Sequence, residues 1–349
     1  MNRRLSLYVS TLVVCIWTHA SLQAHEPPVR VLFDTDLGND VDDVQALAMI
    51  HALEDRGECE LVAVTVTKDH ALAAPFIDAI NTLYGRGEIP IGVCHSGVTP
   101  DEGKYLSLAN EQAKGSPRFP HDLRSGADAP DAVAVLRQTL AESPDNSVAV
   151  VQVGFSTNLA ALLRSTGDDI STLSGEDLVR KKVKLLSLMA GAFTPIPRGD
   201  GKMDERYGEY NVIKDIPSAQ YVAEHWPTEM VWSGFEIGVA APYPHESIDR
   251  DYRHPGQQLI SEAYRRYCEP GHDRPTWDLT SVLHAVRPDR NYFGLSTAGE
   301  VEVADDGATL FTESENGRSR YLTIDSSQAI RVVATLETLA SQPPRSAER

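Results

Sequence analysis

The feature that most constrains the fold is an alternation of short apolar runs with segments of helical periodicity. Apolar runs that predict strands occupy 31–33, 61–66, 89–93, 148–153 and 183–189, and helical segments lie at 41–53, 71–84, 131–141 and 157–163. Strands that alternate with helices are typical of βαβ units, in which right-handed crossovers join parallel strands. We therefore predict an α/β fold, a Rossmann-like open and mostly parallel sheet with helices on both faces.

The rest of the chain adds elements to this sheet without a division into domains. Residues 95–129 and 195–209 lack periodicity and predict long surface loops. Short runs between 292 and 324 predict a small C-terminal β-rich segment. Further helices are predicted at 217–225, 257–267, 280–286 and 328–340, and a further strand at 229–232. Because no Pro/Gly/Ser-rich linker intervenes, we expect one domain over 25–340, followed by a polar tail at 341–349.

The first 24 residues have the layout of a secretory signal peptide. Arg3 and Arg4 precede an apolar stretch at 5–17, and Ala24 is a small residue at the expected cleavage position. The stretch is too short for a spanning helix. We expect a secreted or periplasmic protein without membrane association after cleavage, and a retained N-terminal anchor is the alternative. The remaining Cys59, Cys94 and Cys268 allow one disulfide at most and have no zinc-site spacing.

The charge balance limits the class of partner. The chain has 50 acidic and 32 basic residues and a formal charge of −18, with 42% apolar residues to form a core. This negative field repels a nucleic-acid backbone and an anionic membrane surface. We therefore expect a small-molecule substrate and no nucleic-acid polymer as partner.

Five aspartates lie within the ten residues 34–43, directly after the first predicted strand. Ligands of open α/β sheets bind at the carboxyl ends of strands. Crowded carboxylates repel one another unless a cation lies among them, and a hard divalent ion with oxygen ligands is the natural candidate. Aspartates that match a helix dipole account for one or two of these residues but leave Asp34 and Asp36 unexplained. The spacing fits neither an EF-hand loop nor a phosphate-binding glycine loop with Lys.

Asp34 and Asp36 after a strand also resemble haloacid-dehalogenase-like phosphatases, in which the first Asp is the nucleophile. Asp200 and Asp204 have the spacing of a later acidic motif of those enzymes. That motif would directly follow a strand, whereas this pair lies well beyond the strand that ends at Met189. The phosphatase interpretation stays open as an alternative.

Four segments together resemble the inosine–uridine-preferring nucleoside hydrolase family. Asp34-Thr35-Asp36-x-Gly38, followed by Asp42-Asp43, is similar to the opening signature of the family, in a variant with two additional residues before the paired aspartates. The later segments are similar to its glycine-rich turn, its ribose motif and its late Asp: Gly154-Phe155-Ser156-Thr157-Asn158, Glu209-Tyr210-Asn211 and Trp277-Asp278. The resemblance extends from about residue 31 to 286.

The resemblance implies hydrolysis of the N-glycosidic bond of a ribonucleoside or related N-riboside, with Ca²⁺ as cofactor. It implies that Asp36, Asp43, Asp278 and the backbone carbonyl of Val153 are ligands of the ion, and that Asp36 is also the catalytic base. The residues implied to bind substrate are Asp42, Asp69, Glu209, Asn211 and Trp277. Asp34 and Asn158 are implied to orient the ligands. Members of the family are usually homodimers or homotetramers, and we expect the same here.

Three departures from the family pattern concern the positions that contact the leaving group and the ribose. Many purine-accepting members have a His before the late Asp, where this chain has Trp277, and an indole does not deliver a proton near neutral pH. Asp69 stands where the family commonly has an Asn that contacts ribose. Met203 falls where another ribose-binding Asn is expected. Together with Trp277, it supports a further alternative, a periplasmic ribose- or nucleoside-binding protein with little turnover.

Overall fold

The computed structural model describes residues 27–345, so the predicted signal peptide at 1–24 and the last four residues of the polar tail lie outside the described residues. The strands are β1 Val29–Thr35, β2 Cys59–Val66, β3 Ile91–Val93, β4 Gln112–Ala113, β5 Ser116–Pro117, β6 Val148–Gln152, β7 Val183–Met189, β8 Ile196–Pro197, β9 Met203–Asp204, β10 Glu229–Ser233, β11 Gly294–Leu295, β12 Gly299–Val303, β13 Thr309–Glu313 and β14 Ser319–Thr323.

The helices surround the sheet that these strands form. They are α1 Asp42–Asp55, α2 Ala73–Leu83, α3 Ala132–Glu142, α4 Thr157–Arg164, α5 Gly175–Lys182, α6 Tyr210–Lys214, α7 Ile216–His225, α8 Phe235–Ala240, α9 His245–Arg250, α10 Gln258–Tyr267, α11 Trp277–Val286 and α12 Ser326–Ala340. Across residues 27–345, no helix combines the length and the apolar character needed to cross a membrane.

The main sheet confirms the predicted fold class. Its strand order is β13-β12-β14-β10-β7-β6-β1-β2-β3, with β11 paired to β14. All neighbours from β14 to β3 are parallel. The predicted C-terminal β-rich segment is an antiparallel extension of one edge, in which β12 pairs with β13 and with β14. The sheet is thus open and mostly parallel.

Strand β1 shows why the sequence forms a sheet that is covered on both faces. Val31 and Phe33 belong to the core on one face, and Leu32 belongs to the core on the other. Helices α1, α2, α10, α11 and α12 pack on the first face, and α3, α4, α5 and α7 pack on the second. Because residues 31–35 of this strand are buried, its sequence is apolar from Val31 to Phe33, and polar residues begin at its carboxyl end.

The predicted strands and long helices agree with the structure to within about three residues, but α5, α6, α8 and α9 were not predicted. Helix α5 shows the reason, because among its eight residues Leu178 and Val179 are the buried apolar side chains and most others are charged or exposed. Ser174 caps the helix, because its hydroxyl accepts a hydrogen bond from the backbone N–H of Asp177. The helix leads directly into β7. Such a short amphipathic turn gives too weak a periodicity to distinguish from a loop.

Candidate active site

The aspartates predicted to carry chemistry meet at the carboxyl ends of the central strands. Residues that follow β1, β6, β7 and β10 surround a cavity of about 270 Å³. Its lining consists of Asp36, Asn39, Asp40, Asp42, Asp43, Val153, Met189, Glu209, Tyr210, Asn211, Phe235, Tyr267, Arg274, Trp277 and Asp278. This is the edge at which open α/β sheets bind ligands.

The loop after β1 is held by buried hydrogen bonds. Asp34 is fully buried, and its Oδ1 accepts from Thr65 Oγ1 at 2.5 Å and from Asn158 Nδ2 at 2.8 Å. Burial raises the pKa of Asp34 to about 7. Thr35 Oγ1 donates to the Asp43 carboxylate and accepts from the backbone N–H of Leu37. Asp34 and Asn158 therefore help to hold this loop in place.

Gly154 explains how the β6 loop comes so close to the β1 loop. A Cβ at this position would lie 2.6 Å from the backbone nitrogen of Asp36 and 2.6 Å from Thr67 Oγ1. No side chain fits into that space, so the turn after β6 requires glycine here. The close approach places the carbonyl of Val153 at the cavity beside the aspartates.

Asp42, Asp43 and Asp278 form the most concentrated group of carboxylates. Their side chains are between 1% and 4% exposed, and one carboxylate oxygen from each lies within 4.8 Å of those from the other two. Burial, followed by repulsion from neighbouring aspartates that include Asp36 and Asp40, raises the pKa of all three well above the usual value. Asp43 Oδ2 has no hydrogen-bond partner among the described residues. Buried carboxylates with an unpaired oxygen directed at one another fit a hard cation with oxygen ligands.

Asp36 lies at the edge of this group and lines the cavity. It is 4% exposed, and its Oδ2 accepts from Asn39 Nδ2 at 2.8 Å. Burial raises the pKa of Asp36 to about 6, against the effect of the bond to Asn39. A carboxylate that lines the cavity beside this group is placed to accept a proton, so the position of Asp36 fits a general base.

Glu209 and Asn211 occupy the opposite wall at the start of α6. Glu209 caps the helix, and its carboxylate accepts from the backbone N–H groups of Asn211 and Gly191. Burial raises the pKa of Glu209 to about 7. Asn211 Nδ2 donates to the carbonyls of Val153 at 2.8 Å and Met189 at 3.0 Å. The sequence motif therefore folds as a helix cap that fixes two polar groups on the cavity wall.

The remaining wall is aromatic and contains one cation. The Trp277 ring lies 5.3 Å from the Phe235 ring, and its Nε1 donates to the carbonyl of Phe235. The Arg274 guanidinium lies 5.0 Å from the Trp277 ring and 5.1 Å from the Tyr267 ring, and it forms an ion pair with Asp40. This wall offers flat apolar surface to a planar group.

The structure brings together most of the predicted site residues, with Asp69 as the exception. Asp69 lies in a neighbouring pocket with His70 and His95, and its Oδ2 accepts from the backbone N–H of Gly97 at 2.6 Å. Its carboxylate holds the loop that contains Gly97. The prediction that Asp69 contacts substrate is therefore not supported by its place in the fold.

No histidine of residues 27–345 lines the cavity. His121 is buried and its Nδ1 contacts the carbonyl of Phe119 at 2.7 Å, and His245 pairs with Asp273 on the surface. Trp277 therefore lines the cavity without a histidine of the described residues beside it.

The geometry also disfavours the phosphatase interpretation. That chemistry requires Asp34 as an accessible nucleophile, but Asp34 is fully buried and its Oδ1 accepts two hydrogen bonds. Asp204 belongs to the two-residue strand β9, and neither it nor Asp200 lines the cavity.

Cys59, Cys94 and Cys268 are all free thiols.

Sequence reasoning missed several residues of the site. Phe235 begins α8, which was not predicted, and Arg274 precedes α11, whose start was predicted three residues too late. Asn39 lies inside the aspartate motif without having been singled out. Lys68 was also missed, although its side chain is fully buried beside the motif. A lysine directly after a strand that ends beside the aspartates is the signal that would have indicated it.

Comparison with known proteins agrees with this geometry. The sequence model of the family described as inosine-uridine preferring nucleoside hydrolase matches residues 31–338. No curated protein matches the chain.

Solved structures show the same fold at low sequence identity. The chain is similar to an inosine-uridine preferring nucleoside hydrolase from Bacillus anthracis, with 19% identity, a TM-score of 0.66 and coverage of 90% of this chain and 99% of that one. It is also similar to the plant nucleoside hydrolase PpNRh1, with 19% identity, a TM-score of 0.64 and coverage of 91% and 100%. The purine-preferring ribonucleoside hydrolase from Gardnerella vaginalis is similar with 17% identity, a TM-score of 0.64 and coverage of 89% of this chain and 99% of that one.

The matched segment contains every element that builds the cavity, from β1 with its aspartates to α11 with Asp278. The fold, the carboxylate group and the family match agree with one another. The chain therefore belongs to the inosine-uridine preferring nucleoside hydrolase family and is a hydrolase that acts on N-glycosyl compounds.

Proposed function

We propose that this protein is a secreted or periplasmic, calcium-dependent enzyme that hydrolyses the N-glycosidic bond of a ribonucleoside or related N-riboside. The observation that carries the proposal is the group of buried carboxylates, Asp42, Asp43 and Asp278, at a cavity that also exposes Asp36. A binding site for a neutral sugar alone does not need several buried carboxylates in mutual contact, since each one lowers stability unless a cation compensates it.

The donor set supports calcium as the ion. Asp36, Asp43 and Asp278 would hold it with carboxylate oxygens, and Val153 with its backbone carbonyl. These are all oxygen donors, and no His or Cys of the described residues lines the cavity, which fits Ca²⁺ better than zinc. The Val153 carbonyl accepts one hydrogen bond from Asn211 and keeps a second lone pair. When bound, the ion would polarise a water molecule and fix hydroxyl groups of the ribose.

The chain's own residues perform the remaining steps of the proposed reaction. Asp36 accepts the proton of the attacking water, which adds to the anomeric carbon as the bond to the base breaks. Asp42 and Glu209 accept hydrogen bonds from ribose hydroxyls and favour the positive charge that develops on the sugar ring, as carboxylates do in glycoside hydrolysis. Asn211 restrains the Val153 carbonyl and the β7 end, which keeps this wall fixed around the ribose.

The aromatic wall supports a planar leaving group. Trp277 and Phe235 provide a surface on which a base stacks, and no histidine of the described chain reaches the cavity to protonate it. Protonation of a leaving group contributes about 10²–10⁴-fold to such reactions. The proposed enzyme therefore favours N-ribosides, and activated O-ribosides, whose leaving group departs without a protein acid.

A panel of ribonucleosides assayed for reducing sugar, with and without a calcium chelator, tests the proposal. We expect ribose release from at least one member that stops when the chelator is added and returns with Ca²⁺. Binding of ribonucleosides without any release of ribose would instead favour the low-turnover binding protein, for which Trp277 is the supporting residue.

A further inference from the structure

Lys68 is a charged residue that the proposed reaction has not used. It follows β2, and its side chain is fully buried. Its Nζ donates to Asn39 Oδ1 at 2.7 Å and to the carbonyl of Thr99 at 3.0 Å, and Asp101 lies 3.7 Å away. Removing an ammonium group from water is costly, so a buried lysine near a reaction centre requires a physical reason.

Asn39 connects this ammonium group to Asp36. Its Nδ2 donates to Asp36 Oδ2 at 2.8 Å and to Thr99 Oγ1 at 3.1 Å. An asparagine side chain can turn over, which exchanges its donor and its acceptor ends. Lys68 is a donor without acceptor capacity, so it fixes the carboxamide oxygen on its own side. The NH₂ group must then face Asp36, which receives the hydrogen bond as a carboxylate.

The packing around Lys68 is built to keep this arrangement. Gly38 has a φ of +119°, and a Cβ there would lie 2.6 Å from Lys68 Cδ and 2.7 Å from Leu106 Cδ1. The aliphatic part of Lys68 therefore lies directly against the backbone of the aspartate motif. The positive φ and this contact explain why the motif needs glycine at this position.

We propose that Lys68 is a positioning residue for Asp36 and that it acts through the carboxamide of Asn39. The inference rests on the proposed function, in which Asp36 is the base. Donation from a cation to the Asn39 carbonyl also strengthens the hydrogen bond that its NH₂ group makes to Asp36, since linked hydrogen bonds polarise one another. Lys68 thus holds the Asp36 carboxylate in one orientation toward the water and the ribose.

A double-mutant cycle with Lys68→Met and Asn39→Ala tests this route. Methionine keeps the unbranched apolar stem that packs on Gly38 and removes the ammonium group. We expect Lys68→Met to lower kcat by about 10- to 100-fold, as a small misplacement of a catalytic group does, with KM for the riboside changed by less than about threefold. If Lys68 acts through Asn39, the double variant has nearly the kcat of Asn39→Ala alone.

Asp101→Asn is the matched control. It removes the charge of Asp101, an exposed side chain near the Lys68 ammonium group, and keeps the hydrogen bond from Lys68 to Asn39. We expect its kcat to stay within about twofold of wild type. The inference would be overturned if the two losses of kcat multiply in the double variant. It would also be overturned if Asp101→Asn loses as much kcat as Lys68→Met, because Lys68 would then act only by stabilising the 97–103 loop.

The calcium dissociation constants of wild type, Lys68→Met, Asn39→Ala and the double variant give a readout that does not depend on turnover. The direct effect of the Lys68 charge on a bound cation is present with and without Asn39 and cancels in the cycle, so a remaining coupling reports the orientation of Asp36. Coupling in calcium affinity without cleavage by wild type would overturn the proposed function and uphold the positioning role. A wild-type protein that neither cleaves ribosides nor binds calcium would overturn both.

Discussion

Replacement of Asp43 by Asn is expected to change stability in opposite directions without and with calcium. Carboxylate oxygens of Asp42, Asp43 and Asp278 lie within 4.8 Å of one another. At that distance two ionised groups repel by about 3.5 kcal/mol if the effective dielectric constant is about 20. Asparagine removes the charge, keeps the shape and still accepts the hydrogen bond from Thr35 Oγ1. Without a cation, the variant loses two of the three repulsive pairs.

The expected gain is smaller than the sum of these pairs. Burial and the neighbouring carboxylates raise the pKa of the three aspartates, which favours proton uptake that would relieve part of the repulsion in the protein without metal. We therefore expect Asp43→Asn to raise the free energy of unfolding in chelator by about 1–3 kcal/mol at pH 8, where each pH unit of pKa elevation corresponds to about 1.4 kcal/mol. With calcium at about 100 times its Kd, wild type gains about 2.7 kcal/mol, and the variant loses most of this gain.

Urea unfolding of both proteins, in chelator and in excess Ca²⁺, measures the four free energies. Asp122→Asn is the matched control, because it removes the same charge from an exposed position. The control should retain the full calcium stabilisation. A variant that is less stable than wild type in chelator, or that gains as much from calcium as wild type does, would refute the reasoning about the carboxylate group.

Three further predictions concern stability, substrate binding and location. Burial lowers the pKa of His51 to about 3, so its stabilising effect is complete above the unfolded pKa of about 6.5 and is lost as the pH falls below it. Between pH 7 and pH 5, the free energy of unfolding should fall by about 2 kcal/mol more for wild type than for His51→Gln. Equal decreases in the two proteins would contradict this effect of His51. Trp277→Ala should raise KM for nucleosides more than it lowers kcat, and steady-state kinetics that show the reverse would assign Trp277 to the chemical step. N-terminal sequencing of exported protein should begin near His25, whereas an intact start on cytoplasmic material would exclude secretion.

The fold was predictable because its signal is local. The β1 run at 29–35 is buried on both faces, so its apolar character and the polar residues that end it are both visible in the sequence. The aspartates that follow it are equally visible, since a crowded group of carboxylates has few explanations other than a cation. Position at the carboxyl end of a parallel strand then placed this group at the ligand-binding edge.

The other half of the site depends on contacts between distant segments. Phe235 and Arg274 reach the cavity from the ends of β10 and the loop before α11, and neither has a local pattern that predicts this. The place of Asp69 outside the cavity lining has the same cause, because Lys68, one residue earlier, lies against Gly38, and the Asp69 carboxylate accepts from the backbone N–H of Gly97. Which of two adjacent polar residues points inward depends on the loop at 97–103 that packs over them.

The release of p-nitrophenol from p-nitrophenyl riboside by calcium-loaded protein is the sharpest test of calcium-dependent riboside hydrolysis with Asp36 as the base. This substrate needs no acid for its leaving group, so it isolates the carboxylate group and Asp36 from the altered aromatic wall. We expect cleavage that requires Ca²⁺, that is lost in Asp36→Asn, and that exceeds inosine cleavage in kcat/KM by about 10²-fold or more. Absence of p-nitrophenol release from the calcium-loaded wild type would contradict the account.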